Sequence, residues 1–170
     1  MNKVAHFSKV SYEQFAADWK AAFPDGGEDT RAVYDNIKLP KRATKGSAGY
    51  DFFMPADIDL AAGSTVLIPT GIRAEIEDGW VLQIFPRSGL GFKYRIQLDN
   101  TVGIIDSDYY YADNEGHIKI KLTNDSRTRS DASISAGQGF AQGIFLPFGI
   151  TDDDCADEER RGGFGSTDKK

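Results

Sequence analysis

Five stretches of the chain carry residues that a hydrophobic core does not need: "GSAGYDFF" (Gly46 to Phe53), "PRSGLGFK" (Pro86 to Lys93), "DNTVGIIDSDYYYA" (Asp99 to Ala112), "AGQGFAQGIF" (Ala136 to Phe145) and the terminal "RRGGFGSTDKK". The last is too rich in glycine to pack as helix or strand. Its composition suits either a frayed terminus or a lid that orders over a ligand, in which glycines let backbone N–H groups approach an anion, hydroxyls add donors, and Phe164 offers a flat face for a base. It is not a P-loop, because no Gly-Lys-Ser/Thr follows the glycines and no strand-then-helix pattern surrounds them. Asp106 and Asp108 do not form a calcium loop, since Tyr110 stands at the next ligand position and the required Gly and Glu are missing. With two histidines and one cysteine, a zinc site of the usual ligand types is not expected.

The net charge of -6 argues against stable nucleic-acid binding, because phosphate backbones call for a basic face. A small anion remains within reach of a few arginines gathered at one place. No apolar run reaches the ~18 residues of a membrane span, and the N-terminus lacks the apolar segment of a secretory signal. The lone cysteine, Cys155, excludes an internal disulfide framework, so a cytoplasmic location is expected.

The elements that must position these stretches differ along the chain. In "SYEQFAADWKAAF", Ser11 and Gln14 have capping-box spacing, and Phe15, Trp19 and Ala22 recur at helical intervals. The spacing predicts one amphipathic helix over Tyr12 to Phe23, ended by Pro24, with its apolar stripe docked on the core or on a neighbouring subunit. From Ile37 the period becomes two. "IRAEIE" turns Ile72, Ala74 and Ile76 inward, and "WVLQIF" resumes after an Asp78-Gly79 turn. "HIKIKLTN" turns Ile118, Ile120 and Leu122 inward, and "GIFLPF" is a buried strand. Prolines punctuate these runs at spacings too short for helices. The expectation is an all-β sandwich or barrel over residues 37–150, with a helical extension at 1–36 and an acidic linker plus glycine-rich arm at 151–170. The acids between Asp152 and Glu159 read as a solvated linker.

The order and spacing of the five stretches resemble the five motifs of the trimeric dUTP pyrophosphatases, the dUTPases. The resemblance runs from Ile37 to Thr167, and "PRSGLG", "VGIIDSDY" and "GGFGST" carry it as a set. It implies a jelly-roll-like β subunit in a homotrimer. Each active site would take motifs one, two and four from one chain, motif three from another and the C-terminal arm from the last. It implies hydrolysis of dUTP to dUMP and pyrophosphate, which requires a water aimed at the α-phosphorus and neutralisation of growing charge. Asp106 matches the family's general base; an aspartate is a weak base, so its main service would be to fix the water in line.

By the same resemblance, Tyr109 lies against the deoxyribose and Asn100 reads the uracil edge, where a wrong base would leave buried groups unpaired. Arg87, Ser88 and Gly89 cradle phosphates. Gln142 reaches the phosphate chain, and Asp51 supports the site. In the arm, Phe164 would stack on uracil, worth ~1–3 kcal/mol. Arg161 or Arg160, with Gly165, Ser166 and Thr167, would hold the terminal phosphates. Mg2+ is expected, held mainly by the triphosphate itself.

The chain departs from the family pattern at several points. Gly139, followed by Phe140, stands where a basic residue is usual. "YYADNEGH" lengthens the loop after Tyr109. The fifth motif is one residue tighter than in many members, and Asp168 replaces a glycine, with Lys169 and Lys170 beside it. Two rival readings follow. A dCTP deaminase shares the fold, but its Arg-Ser-Ser signature is absent, since Gly89 follows Ser88. A dUTP-responsive regulatory protein would use the longer loop and the N-terminal helix as surfaces for a protein partner.

Overall fold

Ser11 begins the first helix as its spacing requires: its Oγ accepts the Gln14 N–H at 3.1 Å, and α1 runs Tyr12–Ala22. The computed structural model describes residues 2–25 and 29–156. The second half of the capping box is not made. Gln14 instead donates its side-chain amide to Asp18 one turn on, at 2.8 Å, and the Ser11 N–H is taken by the distant Glu115 at 2.7 Å.

Two elements flank α1 that apolar patterning did not reveal. Strand β1 (Ala5–Lys9) precedes it, and α2 (Thr30–Asp35) follows, capped by Asp29. Neither has a strong signature: β1 buries only Phe7 and α2 only Val33. Tertiary contacts hold them. The Tyr34 hydroxyl donates to the Val10 carbonyl at 2.7 Å, and β1 pairs along its length with a strand of the following region.

The remainder is mostly strand: β2 (Lys41–Arg42), β3 (Tyr50–Phe53), β4 (Ile58–Leu60), β5 (Thr65–Pro69), β6 (Ile72–Ile76) and β7 (Trp80–Pro86). After helix α3 (Ser88–Tyr94) come β8 (Ile96–Leu98), β9 (Gly103–Ile105), a 3-10 turn (Ser107–Tyr111), β10 (Lys119–Asn124), β11 (Ala132–Ile134) and β12 (Gly139–Pro147). Sheet orders are β1-β6, β5-β10-β8, β11-β4 and β2-β3-β12-β7-β9, with antiparallel pairing throughout the described residues. The two alternations place side chains as read, with Ile72, Ala74, Ile76, Ile118, Ile120 and Leu122 buried, whereas "GIFLPF" is not buried throughout: Leu146 is 39% and Phe148 52% exposed, and the strand ends at Pro147. The Asp78-Gly79 turn, with Gly79 at φ +79°, does not fold its strands onto one another. It moves the chain between sheets, because β6 pairs β1 while β7 pairs β12 and β9.

One apolar core joins the N-terminal segment to the strands. Phe7, Phe15, Trp19 and Val33 belong to the same cluster as Phe52, Leu82, Ile118 and Phe140. Phe15 is fully buried and stacks on Trp19 with ring centroids 5.3 Å apart. Replacing such a residue by Ala costs about 3–5 kcal/mol. No helix among the described residues is long and apolar enough to cross a membrane.

Candidate active site

The centre of the five-stranded sheet brings three of the five stretches together. Strand β12 lies between β3 and β7, and its Gln142 is the register partner of Asp51 on one side and Phe85 on the other. Residues directly opposite across a ladder share a face, so the Asp51 and Gln142 side chains project the same way. A Cβ on Gly49 would stand 3.0 Å from Gln142 Oε1, so the missing side chain in "SAGYD" is what seats the glutamine amide.

Arg87 follows directly on β7. Its backbone N–H donates to the Phe140 carbonyl at 3.3 Å. Its guanidinium spreads between two partners: Nη2 lies 3.5 Å from Asp51 Oδ2, and Nη1 donates to the Gly139 carbonyl at 3.4 Å. These are long contacts, and the Arg87 side chain remains 42% exposed, so the cation keeps an open face. The register of β12 against β3 shifts between Gly139 and Ala141, and this bulge turns the strand end toward Arg87. A Cβ at Gly139 would stand 2.5 Å from Arg87 Nη1. The position that the resemblance leads one to expect basic is here the seat of a basic residue that follows β7.

Ser88 and Gly89 form the first turn of α3, where backbone N–H groups have no intrahelical acceptor. A Cβ on Gly89 would meet only open space. "PRSGLGFK" is therefore a strand end leading into a short helix, not a loop. The element is held by the buried Leu90 and by Arg95, which ends it in the left-handed conformation at φ 52°.

The third stretch joins the same sheet at its edge, where β9 pairs with β7. Asn100 is exposed at a turn where Val102 N–H donates to its carbonyl at 2.7 Å. Asp99 fixes this turn: Thr123 Oγ1 donates to it, and Lys121 Nζ lies 3.1 Å away. These bonds, the Thr123 one foremost, hold the Asp99 carboxyl below its ordinary range. Beside the turn opens a cavity of about 300 Å³ lined by Leu67, Ile84, Leu98, Asn100, Gly103 and Ile105. That volume lies at the small end of ligand pockets, ~300–1,000 Å³, and Asp99, Lys119 and Lys121 add charge to its lining.

Asp106 is exposed and caps the 3-10 turn, whose Tyr109 N–H donates to the Asp106 carbonyl at 3.2 Å. The three consecutive tyrosines have three environments. Tyr109 is 1% exposed, and its hydroxyl donates to the His117 carbonyl at 2.8 Å and accepts from Asn114 Nδ2 at 2.8 Å. Tyr110 lies under the Arg73 guanidinium, whose Cζ is 3.6 Å from the ring centroid, and Tyr111 is 74% exposed. Along the ladder, Ile105 pairs with Leu82 and Gly103 with Ile84. Asp106 therefore falls at the Val81 end of β7, while Arg87 leaves the other end. Six residues of extended chain separate these ends by ~20 Å. Within one chain, the site divides into a cationic part and a carboxylate part too far apart to meet on one phosphorus atom.

Arg160, Arg161, Phe164, Gly165, Ser166 and Thr167 lie outside the described residues. Sequence reading did not reveal the seats at Gly49 and Gly139, the anchor at Asp99, or the buried His117. His117 falls in the outward register of the alternating "HIKIKL", with Lys119 and Lys121, so the pattern gave no sign of its burial.

These features define a β-rich protein with an arginine seated at one end of its five-stranded sheet and a small pocket between that sheet and strands β5, β8 and β10. The sequence model of dUTPase matches residues 35–168. The deoxyuridine 5'-triphosphate nucleotidohydrolase of Lactococcus lactis is 43% identical over 134 residues, covering 77% of this chain and 88% of that protein. The enzyme of the same name from Tolumonas auensis is 42% identical over 143 residues, covering 79% and 90%. In three dimensions the dUTPase from Streptococcus mutans superposes with a TM-score of 0.64 at 34% identity, covering 86% of this chain and 98% of that one. A mutant dUTPase from phage phi11 of S. aureus, whose structure describes the coordination of a structural Mg(II) ion, shares the fold at TM-score 0.64 and 19% identity, covering 92% and 98%. The chain belongs to the dUTPase family and is a hydrolase of deoxyuridine triphosphate.

Proposed function

We propose that the protein cleaves dUTP to dUMP and pyrophosphate in a homotrimer of jelly-roll-like subunits whose sites are shared between chains, keeping dUTP low and supplying dUMP for thymidylate synthesis. The observation that carries this reading is the placement of Asp106 and Arg87 at opposite ends of β7. A carboxylate and a guanidinium ~20 Å apart serve one phosphorus only if they come from different copies. Large apolar side chains left open at Leu67, Ile104, Leu146, Phe148 and Ile150, between 38% and 75% exposed, support burial against further copies.

In the assembled site, Asp106 of one chain accepts a hydrogen bond from the attacking water and holds it in line with the α-phosphorus. Arg87 of another chain faces the phosphates with its exposed side. The N–H groups of Ser88 and Gly89 and the Gln142 amide supply donors that need no rearrangement as charge grows. Asn100 reads the uracil edge at the mouth of the pocket, and Tyr109, only 1% exposed, backs the turn beneath the sugar rather than offering it an open ring face. Arg160, Arg161, Phe164, Gly165, Ser166 and Thr167 are the further nucleotide contacts in this reading.

Among the described residues no group of three or more His, Cys, Asp or Glu could hold a metal ion by itself. A Mg2+ would take most of its oxygen ligands from the triphosphate and water, with the Asp51 carboxylate beside Arg87 within reach of the phosphates. When bound, the ion would screen phosphate charge and hold the chain in one conformation.

The test is pyrophosphate release by the purified protein with Mg2+, comparing dUTP with dTTP, dCTP and UTP. Release from dUTP alone is expected. Ammonia release from dCTP would establish deamination instead, and dUTP binding without turnover would favour the regulatory reading. The longer loop and the N-terminal helix, which motivated that reading, are bonded to each other, and this argues for an internal role.

A further inference from the structure

The N-terminal helix grips the segment that follows the Asp106 turn. Ser11 donates both its N–H and its hydroxyl to the two oxygens of Glu115, at 2.7 and 2.6 Å. His117 is fully buried, and its Nε2 accepts the Gly71 N–H at 2.8 Å. The ring proton therefore sits on Nδ1, which lies 2.6 Å from Asp18 Oδ2. The other Asp18 oxygen accepts from Lys119 Nζ at 3.1 Å. On its far side the His117 carbonyl accepts the Tyr109 hydroxyl at 2.8 Å. The loop turns back through Glu115 and Gly116, at φ 57° and 66°, so closely that a Cβ on Gly116 would stand 2.6 Å from the Tyr109 carbonyl oxygen.

A continuous chain of short contacts thus runs from Asp18 through His117 to Tyr109, which is bonded to the backbone of Asp106. A 3-10 turn has poor hydrogen-bond geometry and little stability of its own. The loop that follows it is longer than the family pattern, which adds freedom at the point where a carboxylate must be held still. The two features that depart from that pattern, helix and loop, meet here.

We propose that α1 is a brace for the carboxylate half of the site, with Asp18 and Glu115 as positioning residues that fix the Ser107–Tyr111 turn and hence Asp106. The inference rests on the reading of Asp106 as the residue that holds the attacking water. Misplacing a reacting group by about 1 Å can cost ~10²-fold in rate, so a loosened turn lowers turnover before it lowers binding.

The experiment measures kcat and KM for dUTP, and the binding of a non-hydrolysable dUTP analogue. Asp18→Ala, Asp18→Asn, Glu115→Ala and Asp106→Asn are compared with the unaltered protein, well below each melting temperature. Asp18→Ala should lower kcat by about 10- to 100-fold, on the same positional argument, with KM and analogue affinity within about threefold. Asp18→Asn keeps an oxygen acceptor for the Nδ1 proton and should recover most of kcat. Glu115→Ala should show the same split and carries the test if Asp18→Ala does not fold. A helix that only adds stability would lower the melting temperature and leave kcat per folded trimer unchanged, and that result overturns the brace. Asp106→Asn separates the two ideas. If it remains active, the reading of Asp106 fails; if it is inactive while the brace variants keep full kcat, the brace alone fails.

Discussion

A Cβ on Gly139 would lie 2.5 Å from Nη1 of Arg87, so the bare backbone at 139 is the surface on which the guanidinium rests. The atom in the way is the end of a flexible side chain. Gly139→Ala should therefore displace Arg87 from Asp51 rather than unfold the sheet. We expect kcat/KM to fall about tenfold, equivalent to ~1.4 kcal/mol, mainly through KM. The melting temperature should move by no more than ~2–4 °C. Steady-state kinetics with thermal denaturation checks this, and an unchanged KM would show that Arg87 does not act from this seat.

Asp106→Asn keeps the size and much of the hydrogen bonding of the side chain but removes its charge. Turnover should drop by about 10²- to 10⁴-fold, the usual contribution of a positioned acid or base, while a non-hydrolysable dUTP analogue still binds. Pyrophosphate release and calorimetric titration provide the two readings. Near-normal release would contradict the assignment.

The local parts of this architecture were legible because they repeat within a few residues. Ser11 announced a helix through Gln14, and Ile72, Ala74 and Ile76 announced a half-buried strand through strict alternation. What stayed hidden is long-range. Gln14 could have closed a capping box, yet Asp18 is its partner and a glutamate 104 positions away takes the Ser11 N–H. Helix α3 was hidden by its two glycines, which have poor helix propensity, and forms because Leu90 is buried and Arg95 terminates it. The cradle residues were identified by their resemblance to a family, but the reason Gly139 has no side chain exists only where β12 meets the end of β7.

Acid should weaken the contact between α1 and the loop. Burial alone would raise the Asp18 carboxyl, but hydrogen bonds from His117, Gln14 and Lys119 outweigh it and hold the group well below the usual carboxylate range. Burial likewise opposes, and the two Ser11 bonds reverse, the shift of Glu115. Both folded values lie below those of the unfolded chain, near ~3.9 for Asp and ~4.3 for Glu. Their stabilisation is complete above about pH 5 and is lost as pH falls through the folded values. Melting temperature recorded from about pH 6 down to about pH 3 should fall, and more gently in an Asp18→Asn, Glu115→Gln double variant. Parallel curves would mean that these carboxylates do not set the acid limb.

The separation of Asp106 from Arg87 along β7 makes a prediction that no single-chain site shares. Arg87→Ala and Asp106→Asn proteins should each be nearly inactive. When they are unfolded together in equal amounts and refolded, chains assort at random. A site that takes its carboxylate from one chain and its guanidinium from another receives both intact residues with a probability of about one quarter, given closed symmetric assembly. Activity should return to about that fraction of the refolded unaltered protein, and size-exclusion chromatography with light scattering should report a trimer. A site built within one chain would recover nothing, because every chain in the mixture carries one defect.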